Sequence, residues 1–86
     1  MTSLSDLVNL GPVVSAQLEQ VGIKTPAALK KAGSEKAWLK IQKIDPSACY
    51  NRLLGLEGAV QGIRWHFLSP SRKAELKAFY TAHKLK

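Results

Sequence analysis

Between Pro12 and Val21 the apolar residues Val14, Leu18 and Val21 recur at i, i+4 and i+7, while Ser15, Gln17, Glu19 and Gln20 fill the other positions. That spacing predicts a one-sided amphipathic helix over 12–21. Gly22 follows the last apolar position, where a left-handed stop is expected. Thr25 then offers a side-chain oxygen as the next N-cap, and Pro26 fits the first position of a helix over 26–32. Asp45–Pro46 and Ser69–Pro70 repeat the same pairing of capping residue and proline, and Gly11–Pro12 does so from a turn. The pattern predicts further helices over 34–44, 46–62 and 70–84, with a short helical turn near 3–9. No period-2 alternation rich in β-branched residues occurs, so the expectation is all-α: one domain over 1–86, a compact bundle of about five short helices.

The fourth predicted helix carries the clearest apolar stripe, Cys49, Leu53, Leu56, Val60 and Ile63, widened by Tyr50 and Leu54. Burial at about 1.5–3 kcal/mol for each large aliphatic makes it the expected centre of the fold. On this reading Cys49 is a buried packing residue. Gly55, Gly58 and Gly62 are unusual in a helix interior, where each costs about 0.5–1 kcal/mol against alanine. With Ala59 they form a surface poor in side chains on which another helix can approach. In the third helix Ala37, Trp38, Ile41 and Ile44 are expected to face inward, opposite a ridge of Lys36, Lys40 and Lys43. Leu39 is the lone apolar residue on that outer side. In the last helix Leu76, Phe79 and Tyr80 point to the core, and Lys73, Lys77 and Lys84 share another face.

Gly11 accepts φ > 0 without a Cβ clash and suits a sharp reversal before Pro12. The helix that starts there offers unpaired N–H groups and a partial positive charge, a natural anion site. The same turn serves equally well to pack two helices, and the residues alone leave both readings open.

Composition narrows the function more by exclusion. Eighty-six residues with 45% hydrophobic and 22% charged side chains describe an ordinary single globular domain. No apolar run approaches the roughly 20 residues of a membrane span, and Met1–Asp6 lacks the features of a signal peptide. A single cysteine fits a reducing compartment, so a cytoplasmic location is expected. Thirteen Lys and Arg against six Asp and Glu give a net charge of +7, which favours polyanionic partners. No catalytic or metal constellation emerges: His66 and His83 stand apart, without metal-ligand spacing to Cys49 or a carboxylate, and no cofactor is expected. Glu57 is expected to be partly buried and paired with Arg64 or the Trp65 indole. Trp65, His66 and Phe67 form an aromatic cluster that can stack on bases if exposed; the expectation is that it plugs the end of the bundle.

Several of these strings together resemble the C-terminal domain of the TfoX (Sxy) family, bacterial regulators of natural DNA competence. They are Asn9–Leu10–Gly11–Pro12, then Val21–Gly22–Ile23 with Thr25 and Leu29. Asn51, Leu53–Leu54, Leu56–Glu57–Gly58–Ala59, Gly62, Trp65, Leu68, Pro70 and Lys73 follow. The match runs from about Leu4 to Leu76, and the Leu–Glu–Gly–Ala…Gly…Trp string is its more specific part. The resemblance implies about five helices with a helix-hairpin-helix-like unit, no enzymatic activity, and a role in DNA binding or transcriptional regulation. Two departures accompany it. The separate N-terminal domain usual in that family does not occur in this sequence. In DNA-binding hairpins a glycine opens the turn and a cation follows two residues after the second glycine, places held here by Asn9 and Val13.

Two functions follow as expectations. One is a module that grips nucleic-acid phosphate through Gly11, Val13 and Ser15 at the turn and through Lys36, Lys40 and Lys43 on the ridge; DNA is the expected partner and RNA an equal chemical fit. The other is a protein-interaction module, a homodimer or a dock for a larger regulator, motivated by the missing hairpin cation, Leu39 and the bare glycine surface.

Overall fold

The computed structural model describes residues 10–46 and 48–84. Within them lie α1 (Pro12–Gln20), α2 (Pro26–Ala32), α3 (Ser34–Ile44), α4 (Tyr50–Gln61), a 3-10 turn (Trp65–Phe67) and α5 (Pro70–His83). The all-α expectation holds, and α2 and α3 fall on their expected bounds. The short helical turn expected near 3–9 lies outside the described residues.

Helix starts follow the chemistry of their caps. The Ala28 amide donates to Thr25 Oγ1 at 3.1 Å, and the Arg72 amide to Ser69 Oγ at 3.2 Å. α1 ends as expected: Gly22 stands at φ +91°, and the Ile23 amide reaches back to the Leu18 carbonyl at 2.8 Å, a Schellman closure. The Asp45–Pro46 pair does not start a helix. Asp45 Oδ2 instead accepts from Arg52 Nη1 and Gln17 Nε2, each at 2.9 Å, so that carboxylate joins α1 to α4. The Ala48 amide closes a turn onto the Asp45 carbonyl at 3.0 Å, and α4 begins only at Tyr50.

Between α2 and α3 there is a single residue. Gly33 is at φ +86°, ψ 159°, a conformation open in practice to glycine alone, and it redirects the chain in one step.

α4 is the axis of the domain. Leu53 through Ala59 are all buried, so the helix is enclosed on every side, with α3, α5 and the 3-10 turn packed on it. Gly55 and Gly58 are interior, whereas Gly62 lies just past the helix as its left-handed cap. From α3, Ala37, Trp38 and Ile41 are fully buried. The Trp38 ring meets Phe79 and Tyr80 edge-on at 6.0 and 5.7 Å, and its indole N–H donates to the Cys49 carbonyl at 3.1 Å. Two expected core positions and one expected outer position are corrected. Cys49 is exposed, because α4 starts after it and it serves as N-cap rather than as a member of the stripe. Ile44, in the final residue of α3, is 47% exposed where the chain turns away. Leu39 is half-buried against the core instead of lying wholly outside.

The remaining fixed point is polar. Glu57 is buried on α4, and its Oε1 accepts from Ser34 Oγ at 2.6 Å and Arg72 Nη2 at 3.0 Å, while Oε2 accepts from Gln61 Nε2 at 2.5 Å. The partner is therefore Arg72 on α5, not Arg64 or Trp65. Arg72 also reaches Glu75 at 3.3 Å and Glu35 at 3.6 Å. The network pins the starts of α3 and α5 to the middle of α4.

Burial opposes ionisation of Glu57. The hydrogen bonds from Arg72, Ser34 and Gln61, with the guanidinium charge, outweigh it and hold the carboxyl below its ordinary value of 4.5. A depressed native pKa gives stability that is complete above the unfolded value and disappears as pH falls through the folded one. The thermal midpoint is therefore expected to drop as pH is lowered from about 5 to 3, and Glu57→Gln should flatten that drop in a pH series of melts. Arg72→Met leaves the carboxylate buried without its cation; its expected cost is about 2–3 kcal/mol by urea titration, under the roughly 3–5 of a fully buried pair. Water reaches the Arg72 side chain, which is 29% exposed, and this accounts for the discount. Gly33→Ala should cost about 1–3 kcal/mol from backbone strain alone, since an added Cβ meets nothing within 4 Å.

Candidate nucleic-acid interface

Lys36, Lys40 and Lys43 sit at i, i+4 and i+7 of α3, on the side opposite Trp38 and Ile41. Like charges at such spacings repel by about 0.2–0.5 kcal/mol per pair, so the ridge is mildly unfavourable until an anion meets it. The acidic residues at either end of the helix do not relieve it. Glu35 turns to Arg72 and Asp45 to Arg52. Among the described residues every ion pair is made by an arginine, Arg52 or Arg72, and none by a lysine.

The ridge is the shared wall of two grooves. One, of about 310 Å³, runs between α2, α3 and the α1–α2 turn; Lys31, Lys36 and Lys40 surround it, with Gly22, Ile23, Ala28 and Ala32 beneath. The other, of about 460 Å³, is lined by Lys36, Leu39, Lys40, Gln42 and Lys43. Gln42 is fixed by its amide, which donates to the His83 carbonyl at 2.8 Å and ties α5 to this face. Lys31 was not legible as a member: on a seven-residue helix its direction depends on how α2 docks. The Ala28/Lys31/Ala32 spacing is the one signal that pointed there.

The turn residues form a separate group. Gly11 is at φ −91°, ψ 178°, extended backbone that any residue adopts, so the expected left-handed reversal does not occur there. The start of α1 has neither a capping side chain nor an acidic residue in its first turn. Val13 is 65% exposed. Ser15 is buried, and its Oγ has no hydrogen-bond partner among the described residues. Neither groove is lined by Gly11, Val13 or Ser15. The structure thus brings the three lysines together, adds Lys31, and does not join them to the α1 start.

The aromatic cluster is also placed differently from expectation. Leu68 is buried in the core, while Phe67 is 73% exposed and His66 exposed. Trp65 is half-buried against the core and stacks on His66 at 3.9 Å and 25°.

No helix of the described residues is long and apolar enough to cross a membrane. In comparison with known proteins, the sequence profile of the TfoX C-terminal domain matches residues 1–80. Protein Sxy of Escherichia coli is 36% identical over 73 residues, which is 85% of this chain and 35% of that protein; the chain spans about a third of the length of that relative. Two crystal structures from Listeria monocytogenes share the fold. An uncharacterized protein in a triclinic form has a TM-score of 0.93 at 49% identity, covering 94% of this chain and 92% of the other. A protein of unknown function in a tetragonal form has a TM-score of 0.90 at 51% identity, covering 92% and 98%. This chain belongs to the TfoX C-terminal domain family.

Proposed function

We propose that the chain is a non-catalytic regulatory module that holds the phosphate backbone of nucleic acid along the α3 ridge, with Lys36 and Lys40 central and Lys31 and Lys43 on either side. Its place in a competence regulator rests on the family and on the kinship with protein Sxy. The observation that carries the reading is the division of cations: arginines take the carboxylates, and lysines around two adjoining grooves have no acidic partner among the described residues. Lysine is a hydrated point charge suited to phosphate contact without base reading. The start of α1, lacking a first-turn acid, offers a secondary anion contact through backbone amides, with Gly11 and Val13 as its margins. DNA is the proposed partner, and RNA presents the same phosphates.

A second reading is docking of a protein, either a second copy or a larger regulator. It is favoured by Leu39 among the residues lining the larger groove and by exposed Ile44 at the end of the same helix.

Four neutralised phosphates give a log–log salt slope of about −3.5 for duplex DNA in a fluorescence-anisotropy titration. Lys36→Glu with Lys40→Glu should weaken binding by an order of magnitude or more, equally over unrelated sequences, and reduce that slope by about 2. Absence of duplex binding at low salt, with concentration-dependent association in sedimentation, replaces the first reading with the second.

A further inference from the structure

The 3-10 turn after α4 exposes apolar surface in a strongly cationic setting. Phe67, the residue before buried Leu68, is 73% exposed, more than any other large hydrophobic side chain among the described residues. Its backbone is not free to fold it away: the Phe67 amide donates to the Arg64 carbonyl at 2.9 Å, and the Leu68 amide to the Trp65 carbonyl at 3.2 Å. Beside it, Trp65 and His66 are already stacked face to face at 3.9 Å. Lys73 Nζ lies 5.9 Å from the Trp65 ring centre and donates to the His66 carbonyl at 3.3 Å. Lys73 is itself positioned by the Tyr50 hydroxyl, which donates to its carbonyl at 3.1 Å. Arg64 is exposed at the start of the turn. Exposed aromatic rings, a preformed stack and two cations within one short segment are the parts that unpaired bases use: π-faces for the base and positive charge for the adjoining phosphate.

We propose that the Arg64–Phe67 turn is a stacking site for an unpaired base, with Phe67 as the platform and Arg64 and Lys73 on the flanking phosphates. The module then prefers single-stranded nucleic acid to a bare phosphate chain. This rests on the phosphate-binding reading above, with Arg64 and Lys73 supplying the phosphate contacts at the turn itself. A duplex keeps its bases stacked on one another and cannot use the site without melting, so the turn discriminates by strandedness rather than by sequence.

The test compares three ligands by anisotropy: a thymidine strand of about 15 nucleotides, an abasic phosphodiester strand of the same length, and a duplex. The thymidine strand is expected to bind roughly 5- to 150-fold more tightly than the abasic one, the range that one stacked base contributes. Phe67→Ala should remove that advantage and Phe67→Tyr should keep it, with unchanged melting curves for both. Trp38 is fully buried, so quenching of tryptophan fluorescence by the thymidine strand and not by the abasic strand reports on Trp65. Equal affinity for the thymidine and abasic strands overturns the stacking site while leaving phosphate binding intact; failure of all three ligands overturns both. Self-association that Phe67→Ala abolishes also overturns it, assigning the face to a second copy of the chain.

Discussion

One buried carboxylate holds this small domain in register. A charged group inside an apolar bundle is tolerable only when its oxygens are all occupied, and Glu57 meets that condition with partners from α3, α4 and α5. Leu53, Leu56, Ile41 and Leu76 supply the apolar burial, but such contacts are non-directional and tolerate rotation and sliding. The hydrogen bonds at Glu57 do not. Their geometry fixes where α3 and α5 begin along α4, and with that the direction of every side chain on the outer face of α3.

The same network organises the surface charge. Arginine presents a planar fork able to reach several carboxylates, and Arg72 reaches three, Glu35, Glu57 and Glu75. Those are half of the six acidic residues in the chain. A fourth, Asp45, is bound to Arg52. Four of the six carboxylates are thus engaged by arginines, and the net charge of +7 is expressed largely through lysines. The balance between field and fold therefore follows from which cation sits where, and composition alone does not determine it.

Helix positions were legible because their signals are local. Thr25 and Ser69 cap as their side chains dictate, and Gly22 closes α1 through a Schellman bond. Errors arose where a tertiary contact overrode a local preference. Asp45 has the side chain of an N-cap, but donors from α1 and α4 occupy it, and α4 starts at Tyr50 instead of Pro46. Loss of that first turn moves Cys49 from the stripe to the surface. Gly11 looked like a reversal because glycine permits one, although the backbone there is merely extended. On the candidate site, the ridge of Lys36, Lys40 and Lys43 was readable from helical period, since all three belong to one helix. Lys31 was not, because its place beside them depends on the one-residue link at Gly33.

The aromatic turn shows why exposure cannot be read from residue type. In Trp65–His66–Phe67–Leu68 every residue is large and three are aromatic, a composition that suggests a plug. A 3-10 turn advances three residues per revolution, so successive side chains point about 120° apart and one short turn cannot bury all of them against one surface. Leu68 takes the fully buried place and Trp65 the half-buried one, and Phe67 is left in solvent. An isolated exposed aromatic ring needs no explanation. Here the ring belongs to a turn closed by its own backbone bonds, beside a stacked pair and a lysine that is hydrogen-bonded in place. Ordering that surface in advance removes part of the entropic cost that a ligand would otherwise meet, which is the condition under which a single stacking contact contributes measurably to affinity.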